Sequence, residues 1–176
     1  EENLVDHPDY YNSSHGFPPI TKKEYYHLMN KFFFYFKKKF KCNIIVASHP
    51  KSKINEVKKN FKGLKVHSDN TQNLIKNSFC VFGHASTSIS YPVIFKKPLI
   101  FISFSKVDNH FVGREINYTS KLLGSKLIYL DKSFELKNFR PKINKLKYNS
   151  YFSNFLKHPK SKNISFDNIF NFKLKF

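Results

Sequence analysis

The hydrophobic positions near the start of the chain recur at helical spacing. Thr21 followed by Glu24 matches a capping box, in which two polar side chains satisfy the first backbone N–H groups of a helix. Lys37 to Lys39 supply the basic residues expected in a last turn. The pattern therefore predicts a helix from Thr21 to Lys39, and its apolar face is formed by Tyr25, Leu28, Met29, Phe32, Phe33 and Phe36.

Further along, short apolar runs alternate with segments of helical spacing. The runs predict strands at 43–48, 64–67, 79–82, 98–104 and 126–130, and the first of them has the continuous apolar and β-branched content of a strand buried on both faces. The segments between them predict helices at 53–61, 70–77, 86–94 and 117–123. Such alternation predicts a parallel sheet with right-handed crossovers and helices on both faces, a Rossmann-like α/β fold.

The same patterns divide the chain into three parts. Residues 1–20 are polar and punctuated by prolines, so they predict a connector. Residues 21–135 carry the alternating pattern and predict the Rossmann-like domain, whereas residues 136–176, rich in lysine and phenylalanine, predict a helical extension. The chain opens on Glu1 without a methionine, and we expect it to be part of a longer protein.

The net charge of the chain suggests a nucleic-acid partner, but the composition of its basic residues argues against one. The chain has 31 lysines and arginines against 12 acidic residues, a formal net charge of +19. Only Arg114 and Arg140 are arginines, whereas base readout favours the planar fork of arginine, so we expect no specific nucleic-acid partner. An AT-rich genome would also produce an excess of Lys, Asn, Phe and Ile without selection for binding. Peripheral attraction to an anionic membrane or polymer stays open as a weaker interpretation.

The cysteine content and the length of the apolar runs argue against a disulfide framework, a metal site and a membrane-spanning helix. Cys42 and Cys80 are too few for a disulfide framework, and no metal-binding spacing of cysteine or histidine occurs, so we expect neither a metal nor a cofactor. The longest apolar run, 98–104, is far shorter than the roughly 20 residues that span a bilayer. We expect a cytoplasmic domain, soluble or peripheral at the inner face of the membrane.

Candidate chemistry lies in the loops that follow the strands, because ligands of an open parallel sheet bind beyond the C-terminal strand ends. Hydroxyl groups and free backbone N–H groups at a helix start favour a phosphate there. Helix capping would need only one hydroxyl, and a packed core histidine is the commoner alternative for His84. We predict that these loops form a nucleotide- or phosphate-binding site comprising Ser48, His49, Pro50, His84, Ser86, Thr87 and Ser88.

The order of these motifs resembles a known family. The stretch 43–104, which includes NIIVASHPKS and LIKNSFCVFGHASTSISYPVIFKKPLIFISF, resembles the nucleotide-binding C-terminal domain of bacterial two-Rossmann-domain (GT-B type) glycosyltransferases of capsule and lipopolysaccharide gene clusters. The His-Pro pair is similar to the motif of bacterial sialyltransferases, polysialyltransferases and related transferases that use CMP-activated sugars. In those families the histidine and a later Ser/Thr pair hold the nucleotide phosphate, which implies those roles for His49, Ser86, Thr87 and Ser88.

The resemblance implies that the chain is one half of a GT-B architecture. It would bind a nucleotide-activated sugar, with a CMP-linked donor as the leading candidate, for transfer to a surface polysaccharide or lipopolysaccharide acceptor. His49 would stabilise the departing phosphate. These families keep the acceptor site and the general base in the first Rossmann domain, which the chain lacks in recognisable form, so no base is named.

Two alternatives stay open. The same architecture would serve another activated donor, as in UDP-sugar or polyol-phosphate transferases and sugar-nucleotide epimerases. A domain of a different class, non-catalytic or degenerate, would bind a nucleotide or an anionic polymer. The sequence determines neither the sugar nor the oligomeric state.

Overall fold

Helices and strands alternate along the chain, as the hydrophobic pattern predicts. The computed structural model describes residues 18–49, 52–133, 136 and 139–157. The helices and strands are α1 (Lys22–Phe40), β1 (Ile45–Ala47), α2 (Ile54–Asn60), β2 (Lys65–His67), α3 (Thr71–Lys76), β3 (Val81–Gly83), α4 (Ser90–Ile94), β4 (Leu99–Ser103), α5 (Phe111–Leu123), β5 (Lys126–Tyr129) and α6 (Lys145–Tyr151). Single 3₁₀ turns precede α4 (Thr87–Ile89) and α5 (Ser105–Val107), and a π-helical turn continues α6 (Phe152–Leu156).

The described strands pair in parallel. β1 pairs with β2, and β3, β4 and β5 form a three-stranded sheet with β4 at its centre. Helices flank these strands, which confirms the Rossmann-like α/β class. The sequence predicts one sheet, whereas the strand hydrogen bonds within the described ranges form two separate sheets. β1, β2 and β3 are each three residues long and offer few backbone groups for a further ladder.

One hydrophobic core joins both sheets. It includes Val46 of β1 and every apolar residue of β4, all of which are buried. The aromatic face of α1 covers β3, since the ring centroids of Phe32 and Phe36 lie 5.2 and 4.9 Å from that of Phe82. Phe82 meets both rings edge to face, an arrangement that aromatic pairs prefer. These contacts fix α1 against the strand that leads into the predicted site.

Local signals account for the ends of α1 and α5. The Thr21 hydroxyl accepts a hydrogen bond from the Glu24 backbone N–H at 3.2 Å, which confirms the predicted N-cap. Gly124 ends α5 with a φ of 59°, a left-handed conformation that glycine adopts without strain. The start of α5 differs from the prediction at 117, because the helix begins at Phe111 and continues through Gly113. Glycine has a low helix propensity, but at this position its missing Cβ lets α5 pack onto the preceding turn.

The predicted C-terminal extension contributes to the same core. Tyr148 of α6 is buried, and its hydroxyl accepts a hydrogen bond from Leu99 N at 3.2 Å while donating to Lys97 O at 3.1 Å. α6 is thereby fixed to the start of β4. Most of the predicted connector, and the chain from residue 158 onward, lie outside the described residues. None of the helices in the described part of the chain combines the length and the apolar character needed to cross a bilayer.

Candidate functional site

The hydroxyl run after β3 stands at the start of the turn that leads into α4. Ser86 has extended backbone dihedrals and caps the turn, with its Oγ accepting from Ser88 N at 3.3 Å and lying 3.0 Å from Ser88 Oγ. Ser86 and Thr87 are exposed, and the Thr87 hydroxyl forms no hydrogen bond with any described residue. One hydroxyl therefore serves the cap, while Thr87 presents an exposed hydroxyl at the C-terminal end of a parallel strand.

His84 lies in the interior between the sheet and α1. Its ring is 6% exposed, with Nδ1 2.7 Å from Ile102 O and Nε2 3.2 Å from the Tyr25 hydroxyl. A carbonyl oxygen only accepts, so Nδ1 carries the proton and Nε2 accepts from Tyr25. Burial lowers the pKa of His84 to about 3, so the ring is neutral at physiological pH. In contrast to the prediction, His84 has no ring nitrogen to offer a phosphate; it positions the loop instead.

The end of β1 separates into a buried residue and an exposed one. Ser48 is 3% exposed, and both its N–H, at 2.8 Å, and its hydroxyl, at 3.3 Å, donate to His67 O at the end of β2. Ser48 therefore closes the β1–β2 pair, and its predicted contact with a phosphate would require that bond to break. His49 is exposed, and its carbonyl accepts from Ser52 N at 2.9 Å. Pro50 lies outside the described residues.

A carboxylate that sequence reasoning missed stands beyond β5. The side chain of Asp131 accepts from Ser105 N through both carboxylate oxygens, at 3.0 and 2.8 Å, and from the Ser105 hydroxyl. Burial alone would raise the pKa of Asp131, but the hydrogen bonds from Ser105 outweigh burial and hold the pKa below its ordinary value. Asp131 directly follows the apolar run 126–130, and this position after a strand is the signal that could have identified it.

A second polar network supports the same edge of the sheet. Asp108 Oδ1 accepts from the Tyr129 hydroxyl at 2.9 Å and from Asn117 Nδ2 at 3.3 Å. Burial, together with the Asp108 carboxylate, raises the pKa of Tyr129, so its hydroxyl stays protonated and donates. Hydrogen bonds to these two carboxylates thus join the turn after β4 to β5 and to the turn that follows β5, which fixes the shape of this edge and leaves Asp108 in a structural role.

The loop after β4 also contacts α1. Lys106 Nζ lies 2.7 Å from Glu24 Oε1, an ion pair between residues that are 82 positions apart. This pair and the bond between Tyr25 and His84 both place the first turn of α1 beside the C-terminal ends of β3 and β4. These contacts with α1 therefore fix the strand ends from which the hydroxyl run extends, and a preorganised anion site requires such a fixed position.

The described ranges contain no cluster of three or more His, Cys, Asp or Glu that could hold a metal ion. Cys42 and Cys80 are both half-buried free thiols. Burial, with Cys42 nearby, raises the pKa of Cys80 to about 11, so this thiol stays protonated at neutral pH and is a poor nucleophile.

Comparison with known proteins adds no assignment. No family model, no curated protein and no solved structure matches the chain. The class that the fold and this edge define is a Rossmann-like α/β domain with an exposed hydroxyl loop at the C-terminal end of a parallel sheet.

Proposed function

We propose that the chain binds the phosphate of a nucleotide-activated sugar and forms the donor-binding part of a glycosyltransferase. The observation that carries this proposal is the exposed Ser86–Thr87 pair on a braced loop after β3. Parallel α/β sheets bind their ligands at this edge, and exposed hydroxyls at a helix start suit a phosphate. The position of His49 also supports the proposal, since this residue is exposed at the C-terminal end of β1.

The proposed reaction is direct displacement at the anomeric carbon. An acceptor hydroxyl oxygen forms the new bond to that carbon while the bond from carbon to the nucleotide phosphate oxygen breaks, and the phosphate leaves with the electron pair. Hydrogen bonds from Ser86, Thr87 and His49 stabilise the charge that develops on this oxygen. The acceptor's proton passes to a base outside the residues assigned here.

The donor class and setting follow from the sequence resemblance. A CMP-linked sugar is the leading donor, and a surface polysaccharide or lipopolysaccharide is the acceptor. The enzyme would act in the cytoplasm, where activated donors are made, with peripheral attraction to the anionic inner leaflet through its basic surface. In this proposal His84 and Tyr25 hold the loop in place without contacting the donor.

The proposal is tested by calorimetric titration of the protein with CMP, CDP, UDP and GDP, repeated on His49→Ala and Thr87→Ala. We expect one nucleotide to bind selectively and each substitution to weaken it about tenfold or more, since a hydrogen bond to a charged group contributes roughly 1.5–3 kcal/mol. Thr119→Ala, on α5 away from the loop, is the matched control and should bind like the wild type. Absence of binding at millimolar nucleotide, with the circular dichroism spectrum unchanged, would overturn the assignment.

A further inference from the structure

A cationic groove runs along α1, lined by residues other than those of the candidate site. It has a volume of about 660 Å³ and lies between the first half of α1 and the C-terminal end of α2. Neither the hydroxyl loop after β3 nor His49 contributes to its lining. The groove is therefore a separate surface feature, and a ligand could bind there whether or not the proposed transferase activity is correct.

The two walls of the groove are held together by specific contacts. Asn30 Nδ2 of α1 donates to the backbone carbonyl of Asn60 at 2.7 Å, which satisfies one of the free carbonyls at the end of α2. The rings of Tyr26 and Phe61 meet edge to face, with centroids 5.1 Å apart. A groove whose walls are already tied together loses little entropy when a ligand binds.

Five exposed lysines line this groove, and none of the described residues that line it is acidic. The nearest acidic residues along α1 and α2 are engaged elsewhere, since Glu24 pairs with Lys106 and Glu56 pairs with Lys53. The described lining of the groove therefore supplies positive charge and no carboxylate. The lysines are Lys22, Lys23, Lys31, Lys59 and Lys62.

Helix stability does not explain two of these lysines. Lys22 and Lys23 occupy the first turn of α1, where the helix dipole disfavours cations. Lys37 to Lys39 at the other end of α1 have the favourable placement. The first-turn lysines therefore weaken the helix slightly while adding positive charge to the groove, a combination that suits an anionic ligand.

We propose that this groove is a binding site for a ligand that carries two or more phosphate groups. Lys23 and Lys31 are eight residues apart on one helix, which corresponds to about 12 Å along the axis, longer than a single phosphate needs. Lysine ammonium groups act as point charges that suit phosphate oxygens. The aromatic residues among the described lining are Tyr26 and His27, and the Tyr26 ring packs against Phe61 rather than forming a platform for stacking bases.

The first test uses inorganic tripolyphosphate as the probe, titrated calorimetrically at about 0.15 M salt, where long-range attraction is screened. Lys23→Gln combined with Lys59→Gln removes one lysine from each wall, and we expect at least about tenfold weaker binding. Lys76→Gln combined with Lys121→Gln removes the same charge from α3 and α5 and should change the affinity less than about twofold. Equal losses in both double variants, or no binding by the wild type, would overturn the proposal.

A second measurement distinguishes the source of the phosphate groups. Co-sedimentation with vesicles of phosphatidylglycerol mixed with phosphatidylcholine is compared for the wild type and the two double variants. Binding that is lost in the groove variant alone supports the phosphates of neighbouring lipid headgroups as the ligand. Tripolyphosphate binding without vesicle binding supports a soluble polyphosphorylated ligand at the same groove. Vesicle binding that falls equally in both variants argues against the groove and for net charge alone.

Discussion

At the scale of single residues, His84 shows how one motif supports two interpretations. A histidine between a strand and a hydroxyl loop has the same sequence signature whether it faces a ligand or the core. The hydrogen-bond partners of the ring decide between a ligand-facing and a core-facing histidine. These partners are distant in sequence, since Tyr25 lies 59 positions away and Ile102 lies 18 positions away. Because these contacts form only in the folded chain, the sequence could predict the loop but not the burial of this ring.

Because the ring of His84 is buried and neutral, we expect the stability of the folded protein to fall in acid. Its pKa is lowered from 6.5 to about 3, so the folded protein takes up this proton less readily than the unfolded chain. The stabilisation is therefore complete above pH 6.5 and is lost as the pH falls toward 3. Between pH 7 and pH 5 we expect the free energy of unfolding to fall by about 2 kcal/mol from this group.

Urea denaturation of the wild type and of His84→Gln, at both pH values, measures this contribution. The stability difference between the two proteins should shrink at pH 5, because glutamine does not titrate. If the variant fails to fold, the ring chemical shifts of His84 in the wild type provide the same test. A ring that becomes protonated near pH 6.5 would contradict the expected burial.

At the scale of elements, the alternation of helices and strands was predictable, whereas several boundaries were not. Continuous apolar runs correctly indicated β1, β4 and β5, although only β4 is buried along its whole length, while Ile45 of β1 and Lys126 of β5 are exposed. The early start of α5 was missed because Gly113 lowers helix propensity locally. The division into two sheets depends on which short strands pair, and that is decided by three-dimensional packing.

The close packing around Gly113 predicts that adding a single methyl group there lowers the stability strongly. A Cβ at this position would overlap the Val107 carbonyl group and would lie 2.9 Å from Asp108 Cα. These are backbone atoms of the turn before α5, so they cannot move aside as a flexible side chain would. We expect Gly113→Ala to lower the free energy of unfolding by about 3 kcal/mol, measured by urea denaturation.

Gly83 provides the control for this substitution. A Cβ there would meet only Leu99 Cδ1, at 3.7 Å, which is an ordinary contact distance. Gly83→Ala should therefore change the stability by less than about 1 kcal/mol. Similar effects at the two glycines would show that α5 does not pack as tightly on the turn as the structure indicates.

At the scale of the whole molecule, charge is the dominant feature. The described ion pairs, Lys53–Glu56 and Lys106–Glu24, engage few of the 31 basic side chains. A net charge of +19 destabilises the compact state through self-repulsion, which salt screens. We expect the free energy of unfolding to rise when sodium chloride is increased from about 0.02 to 0.3 M.

Urea denaturation across this salt series measures the effect, with sucrose at equal osmolality as the uncharged control. Sucrose also favours compact states by exclusion from the surface, so the excess gain in salt reports the electrostatic part. A fall in stability with added salt would mean that attractive ion pairs outweigh the repulsion.

The burial of β4 has a consequence for how the chain folds. All five of its residues are buried, and the apolar run 98–104 around it contains no charged side chain. Until β3 and β5 pair with it, this run resembles the segments that initiate aggregation between chains. Lys96, Lys97 and Lys106 flank the run and act as gatekeepers by charge repulsion. Refolding yield should therefore fall when these lysines are neutralised, even where the folded protein is equally stable.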